Sequence, residues 1–244
     1  MKTKIYFMLL IVFVLAGKMM AQTKESILAE AVQKSVFDKK FRLGLSGNQY
    51  WGNMAGSNLA EDYFGKPCLG ASLRAEYYFL PFLGASAGFG IQQRGAGIIN
   101  PDVSGGSFTH PWEIPQFNGD STYRERLRFN TLDVPLTLLL RTPRDIVKGV
   151  RLSAAAGISF VKVMRVNDIF LSVEDGYHLD QVVTKDYLSS DVAYQLSFGT
   201  DIDTGGDDIF QVHLVYTKGT KNVYGANQGD GRLTTYGFRL SWLF

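Results

Sequence analysis

The last twelve residues, Leu233-Thr-Thr-Tyr236-Gly-Phe238-Arg-Leu240-Ser-Trp242-Leu-Phe244, alternate with a period of two. Tyr236, Phe238, Leu240, Trp242 and Phe244 fall on one face, and Gly237, Arg239 and Ser241 on the other, with Leu243 the apolar exception. A period of two is that of a strand with one apolar and one polar face. A segment of this kind cannot bury its apolar face alone. The rest of the chain must supply either a second layer or a solvent that is itself apolar.

The same alternation recurs upstream. Phe41, Leu43 and Leu45 share a face, as do Leu69, Ala71, Leu73, Ala75, Tyr77 and Phe79. Leu83 to Ile91 repeats the pattern after the turn Leu80-Pro81-Phe82, and Tyr123 to Leu140 follows a polar stretch from about Gly95 to Ser121. In that fourth segment Leu132, Val134, Leu136, Leu138 and Leu140 share a face, whereas upstream Leu127, Phe129 and Thr131 are the less charged set. A phase slip near Asn130 is expected, with a β-bulge as its cause. Pro135 adds irregularity there. Three more segments run from Leu152 to Phe160, from Val192 to Ile202 and from Phe210 to Tyr216, and the terminal strand makes eight. Connections alternate between short turns (142–149, 203–208) and long loops (167–190, 218–231).

The polar faces are mostly Gly and Ser, punctuated by Arg74, Glu76, Asp133, Gln195, Asp201, His213 and Arg239. Small residues with a few charges suit the cramped inside of an eight-stranded barrel, which side chains just fill. The charged positions Arg74, Glu76, Asp133, Asp201 and Arg239 nearly balance in sign, so an internal paired network is expected rather than an open pore. Aromatics near strand ends (Tyr50, Trp51, Tyr77, Phe79, Phe82, Tyr236, Trp242, Phe244) are placed as interfacial girdles. The expected fold is therefore all-β: an eight-stranded antiparallel transmembrane β-barrel with short periplasmic turns and long extracellular loops.

The beginning of the chain agrees with export. Lys2 and Lys4 precede the apolar run Ile5 to Ala16, which is shorter than the ~20 residues of a spanning helix and has the form of a signal peptide. Cleavage is expected near Ala21 or Gln22. Removing residues 1–22 takes Lys2, Lys4 and Lys18, so the net charge moves from +2 to −1 and gives no basis for nucleic-acid binding. The single cysteine, Cys68, excludes an internal disulfide framework. Residues 23–40 read as a periplasmic leader, a short amphipathic helix packing under the barrel mouth, with Ile27, Leu28, Ala31, Val32 and Val36 at helical spacing. Residues 41–244 are the barrel.

Met20-Ala21-Gln22, Phe41-Arg-Leu-Gly-Leu, Leu132-Asp-Val-Pro-Leu136 followed by Leu138-Leu-Leu-Arg141, and the terminal Phe244 together carry a resemblance. The mature chain resembles the PorT-like small outer-membrane barrels of Bacteroidota, and more distantly the OmpX/OmpA-type barrels. In the PorT-like family the central phrase usually reads Leu-Glu-Ile-Pro-Leu, so Asp133 and Val134 depart conservatively. The terminal strand (Tyr236, Phe238, Leu240, Trp242, Phe244) is similar to the signal that barrel assembly machinery reads. The resemblance implies an outer-membrane location and, for some members, a part in gliding or secretion apparatus.

Little in the chain carries chemistry. A lipid A deacylase of this size would hold a His and a Ser two apart on one strand face, but Val215 follows His213 at that offset. His110 and His178 fall in loops. Asp201, Asp203, Asp207 and Asp208 lack the spacing of a calcium loop, and the glycines at 84, 88, 90, 95 and 97 precede no helix and are no phosphate fingerprint. No cofactor and no metal are called for. Arg124, Arg126 and Arg128 form a basic stripe near the outer rim, whose guanidinium groups suit lipopolysaccharide phosphates. The expected role is that of a non-enzymatic structural or interaction subunit of an envelope complex, with a narrow solute channel as alternative and a lipid-modifying enzyme third. Its partners would be outer-membrane lipid, assembly machinery during biogenesis and other envelope proteins. Those proteins would be met through the leader or through loop aromatics (Phe108, Trp112, Phe117, Tyr177, Tyr187, Tyr224).

Overall fold

In a hydrocarbon solvent every backbone N–H and C=O needs a partner within the chain, which leaves a strand-built protein only one shape, a closed sheet. The computed structural model describes residues 36–55, 63–99, 123–172, 178–223 and 231–244. Its strands are β1 (Phe41–Ala55), β2 (Tyr63–Phe64), β3 (Lys66–Leu80), β4 (Leu83–Ile99), β5 (Tyr123–Arg141), β6 (Val150–Ser172), β7 (His178–Val182), β8 (Ser190–Asp203), β9 (Ile209–Gly219) and β10 (Arg232–Leu243). The eight long ones pair antiparallel in the order β1-β3-β4-β5-β6-β8-β9-β10, and β10 pairs back onto β1 from Gly44–Leu243 to Ala55–Arg232. Leu43 N–H donates to the Phe244 carbonyl at 3.2 Å and Phe244 N–H to the Leu43 carbonyl at 2.8 Å, so the last residue fastens the seam. The chain is a closed eight-stranded antiparallel β-barrel.

Alternation determines which side chains meet lipid. The large apolar residues at outward positions, among them Leu45, Leu73, Ile91, Leu138, Phe198, Leu214 and Phe238, are between 36 % and 67 % exposed and form an encircling band. A water-soluble monomer does not carry such a surface; a membrane barrel requires it. All five outward residues of the terminal strand belong to the band. Leu243 instead points inward, buried against Phe37 and Ile209. The short turns lie at the end that holds Phe41 and Phe244, which is the periplasmic end in barrels of this kind.

At the other end β5 and β6, with 19 and 23 residues, outrun the ~10 that a spanning strand needs. The expected phase slip of β5 does not occur. Leu127, Phe129, Thr131, Asp133, Thr137 and Leu139 are all buried, so odd positions face inward throughout. What changes near Asn130 is the outside, from lipid to water, and hence which residue types suit each face. The bulge lies on β6. The β5–β6 register passes from Asn130–Arg165 to Thr131–Val163, which leaves Met164 as the extra residue and turns Val166, Asp168 and Phe170 inward. Part of the expected loop 167–190 is therefore sheet, with β6 running to Ser172 and β7 pairing beside it. At Pro135, which has no N–H to give, the β4–β5 ladder passes from Ala87–Leu136 to Gly90–Asp133 without pairing Val134 or Pro135.

Two glycines let β1 and β4, the strands on either side of β3, approach each other. A Cβ on Gly52 of β1 would run into the carbonyl oxygen of Gly95 on β4 and lie 3.1 Å from Cys68 Sγ. Gly52→Val is expected to push β1 and β4 apart and lower the urea midpoint for unfolding from lipid vesicles, at an overpacking cost of about 1–3 kcal/mol. Gly47→Val, whose Cβ meets nothing within 4 Å, serves as the neutral control.

Candidate functional site

The eight strands turn their polar faces into one narrow lumen. All six residues of the expected internal network lie inside and buried: Arg74, Glu76, Asp133, Asp201, His213 and Arg239. They divide into separate groups. Arg74 Nε pairs with Glu76 Oε1 at 2.8 Å, and Gln211 Nε2 donates to the same carboxylate at 3.3 Å. Asp133 pairs with Arg94 and accepts a hydrogen bond from Thr131 Oγ1 at 2.7 Å. Asp201 pairs with Arg141 at 3.7 Å and accepts from Ser153 Oγ at 2.6 Å.

The expected network held Arg74 and Arg239 and left out five further cations. Arg42, Arg94, Arg141 and Arg151 are all buried inward, as is Lys66 near the outer mouth. The alternation contains the signal, since Arg94 and Arg151 fall on the polar phase of their strands. It does not say which inward side chain meets which across the lumen.

Ser153, His213 and Asp201 come together without forming a hydrolase triad. Arg239 Nη2 lies 3.0 Å from His213 Nδ1, and a guanidinium can only donate, so Nδ1 is the acceptor and the imidazole is neutral with its proton on Nε2. That N–H faces Ser153 Oγ at 2.8 Å and Asp201 Oδ1 at 3.4 Å. Ser153 therefore accepts from the histidine and gives its proton to the aspartate. A nucleophilic serine needs the reverse, with imidazole as acceptor and the carboxylate on the opposite ring nitrogen.

Among the described residues, buried side chains fill both ends of the lumen. At the periplasmic end a 3-10 turn, Val36–Asp38, sets Phe37 into the mouth against Ile209 and Leu243. Arg141 donates to the Phe37 carbonyl at 2.9 Å, and the guanidinium carbons of Arg141 and Arg151 lie 5.0 Å and 4.3 Å from its ring centre. These are cation–π distances. Asp145, in the turn between β5 and β6, steadies Arg151 by accepting from its Nε at 2.8 Å and from Gly149 N–H at 2.9 Å. Residues 23–35 of the expected leader (23–40) lie outside the described residues. At the outer end Met54, Leu127, Phe129, Val166, Tyr187 and Leu233 form part of a buried apolar cluster. Tyr187, expected as an exposed loop aromatic, is instead 6 % exposed and meets the Phe129 ring edge-on at 5.4 Å. Tyr50 likewise faces the lumen rather than the girdle. Its neighbour Trp51 is the one that stacks outward on Tyr236, 6.2 Å away.

On the outside, Arg124 is exposed and Arg126 and Arg128 half-buried on the extramembrane part of β5; Arg128 lies 3.6 Å from Asp180. Exposed Lys162 and Arg165 on β6 sit opposite Leu132 and Asn130 and extend the stripe. His178 is exposed at the start of β7, whereas His110 and the aromatics Phe108, Trp112, Phe117, Tyr177 and Tyr224 lie outside the described residues. The turn aspartates hold their own loop: Asp203 accepts from Gly205 N–H at 2.8 Å, the Asp207 carbonyl from Arg42 at 2.7 Å, and Asp208 from Trp242 Nε1 at 3.1 Å.

No family model and no curated protein matches the chain. Among solved structures it is similar to Ail, the attachment invasion locus protein of Yersinia pestis, at 14 % identity and a TM-score of 0.38, covering 84 % of this chain and 99 % of that one. It is also similar to Neisserial surface protein A (8 %, TM-score 0.45, 82 % and 95 % covered). A third is the outer membrane protein OprG from Pseudomonas aeruginosa (10 %, TM-score 0.44, 84 % and 95 % covered).

Two outcomes follow from the buried charges. Asp133→Asn leaves the Arg94 guanidinium buried without its counter-charge, so unfolding in vesicles should become easier by about 3–5 kcal/mol, and Asp133→Leu with Arg94→Met should recover most of the loss. Burial raises the affinity of Asp145 for a proton, but the hydrogen bond from Arg151, the Gly149 N–H and the nearby charges outweigh it and hold the carboxyl below its ordinary range. Its stabilising contribution is then complete above about pH 4 and is lost as pH falls through the lowered value. Midpoints of the wild type and Asp145→Asn, measured from pH 7 downward, should converge on the acid side.

Proposed function

We propose that the chain is a non-conducting outer-membrane barrel acting as a structural or interaction subunit of an envelope complex. The observation that carries this is the filled lumen. Four ion pairs occupy it (Arg74–Glu76, Arg94–Asp133, Arg141–Asp201 and, at the periplasmic rim, Arg151–Asp145). Phe37 fills one end against Ile209 and Leu243, and a buried apolar cluster fills the other. A solute path would have to break these pairs, each break leaving a charge buried without its partner. The work of such a barrel falls to its surfaces: the outer rim, the long loops and the leader. The resemblance to PorT-like barrels points the same way.

The basic stripe favours one class of contact on that surface. Arg124, Arg126, Arg128, Lys162 and Arg165 stand just above the lipid-facing Phe160 and Leu136, at the height of lipopolysaccharide phosphates. Arginine chelates such groups in two-point contacts.

Mild-detergent extraction of the tagged chain from its own outer membrane should bring down stoichiometric envelope proteins, and the purified barrel should give no steady conductance in planar bilayers. A barrel that comes out alone and carries a reproducible ohmic current would overturn the proposal in favour of the narrow channel.

A further inference from the structure

Arg239 differs from the four ion-paired guanidiniums of the lumen. Arg74, Arg94, Arg141 and Arg151 each have a carboxylate within ion-pair distance. Arg239, 5 % exposed at the middle of the terminal strand, has Ser197 Oγ at 3.3 Å and His213 Nδ1 at 3.0 Å. Both are neutral acceptors, and its Nε has no hydrogen-bond partner. Among the described residues no carboxylate lies within ion-pair distance of it. A positive charge held this far from water is costly without an anion beside it.

The surroundings of Arg239 offer a place for one. Its side chain walls two small lumen cavities of about 30 Å³ and 20 Å³. A single water needs about 10–15 Å³ of such space, so each has room for one small species. Their linings differ in charge. The larger includes the Asp133 carboxylate and Asn48, whose Oδ1 has no partner, a setting for a water that can donate. The smaller has no carboxylate. Two guanidiniums, Arg239 and Arg74, reach it together with Ser72, Ser86, Thr137 and Gln195. Arg74 spends its Nε on Glu76 and has an Nη2 without a hydrogen-bond partner. Two buried cations with unused N–H groups, flanked by hydroxyl and amide donors, form a site of one sign.

We infer that the smaller cavity is a binding site for a halide ion, chloride under ordinary conditions, bridged by Arg74 and Arg239. A sphere can accept from donors arriving on all sides and fits a space of this volume; phosphate and carboxylate groups do not fit it. The ion acts as an internal counter-charge that completes the lumen network, and it leaves the lumen closed.

The test uses the whole chain refolded into lipid vesicles. At constant ionic strength, replacing gluconate by chloride or bromide should raise the urea midpoint saturably. The folded-to-unfolded ratio should rise about tenfold once the halide reaches roughly ten times its dissociation constant. The gain should vanish in Arg239→Gln. Because that variant could fail to fold, crystals of the unmodified protein grown in bromide provide the second reading: an anomalous peak between Arg74 Nη2 and Arg239 Nε is expected. A midpoint that is the same in gluconate and halide, or a cavity whose density gives no bromide signal, overturns the site.

Discussion

The ladder between β1 and β10 is the interaction on which everything else depends. Seven of the eight strand pairings join neighbours in sequence, which any antiparallel meander could make. The eighth joins the first and last long strands and pairs the edge that each would otherwise leave free. Lipid supplies no substitute hydrogen bonds, so an unclosed sheet would leave two strands of unpaired polar groups in hydrocarbon. The alternation of the terminal strand, Gly237 lying close against Gln49 and Tyr50, and the mutual bonds of Leu43 and Phe244 all serve that seam.

Closure then dictates the inside. With apolar side chains claimed by the lipid face, polar ones have only the lumen, and eight strands leave just enough room for them to touch. Charges forced together without water have to find partners, which explains why the described interior is a set of ion pairs and neutral donors. The same crowding turns Ser153, His213 and Asp201 into a structural relay. Proximity of the right residue types does not make these three a hydrolase triad, because Arg239 fixes the imidazole in the tautomer that donates to serine.

Most of the fold was legible in the chain, because the period of two marks both the strands and their faces. Legibility ended where environment or partners across space mattered. The apparent slip of β5 came from treating apolar as outward everywhere, whereas above the membrane Leu127 and Phe129 obey the rule for water and turn in. The true bulge at Met164 left no such trace, since β6 carries apolar residues on both sides of it. Tyr50 and Tyr187 have the composition of girdle and loop aromatics but are buried by their neighbours. In the lumen, inward positions could be read, and pairings could not. Arg94 finds Asp133 and Arg141 finds Asp201 through the stagger of the closed sheet, which is a property of the whole ladder.

Phe37 belongs to the chain's beginning, yet what grips it comes from its middle and end: Arg141 and Arg151 from β5 and β6, Ile209 and Leu243 from β9 and β10. No partial barrel contains that grip. The ring can settle only after the final strand is in place, so the docking of Phe37 is a mark of completion written into the molecule.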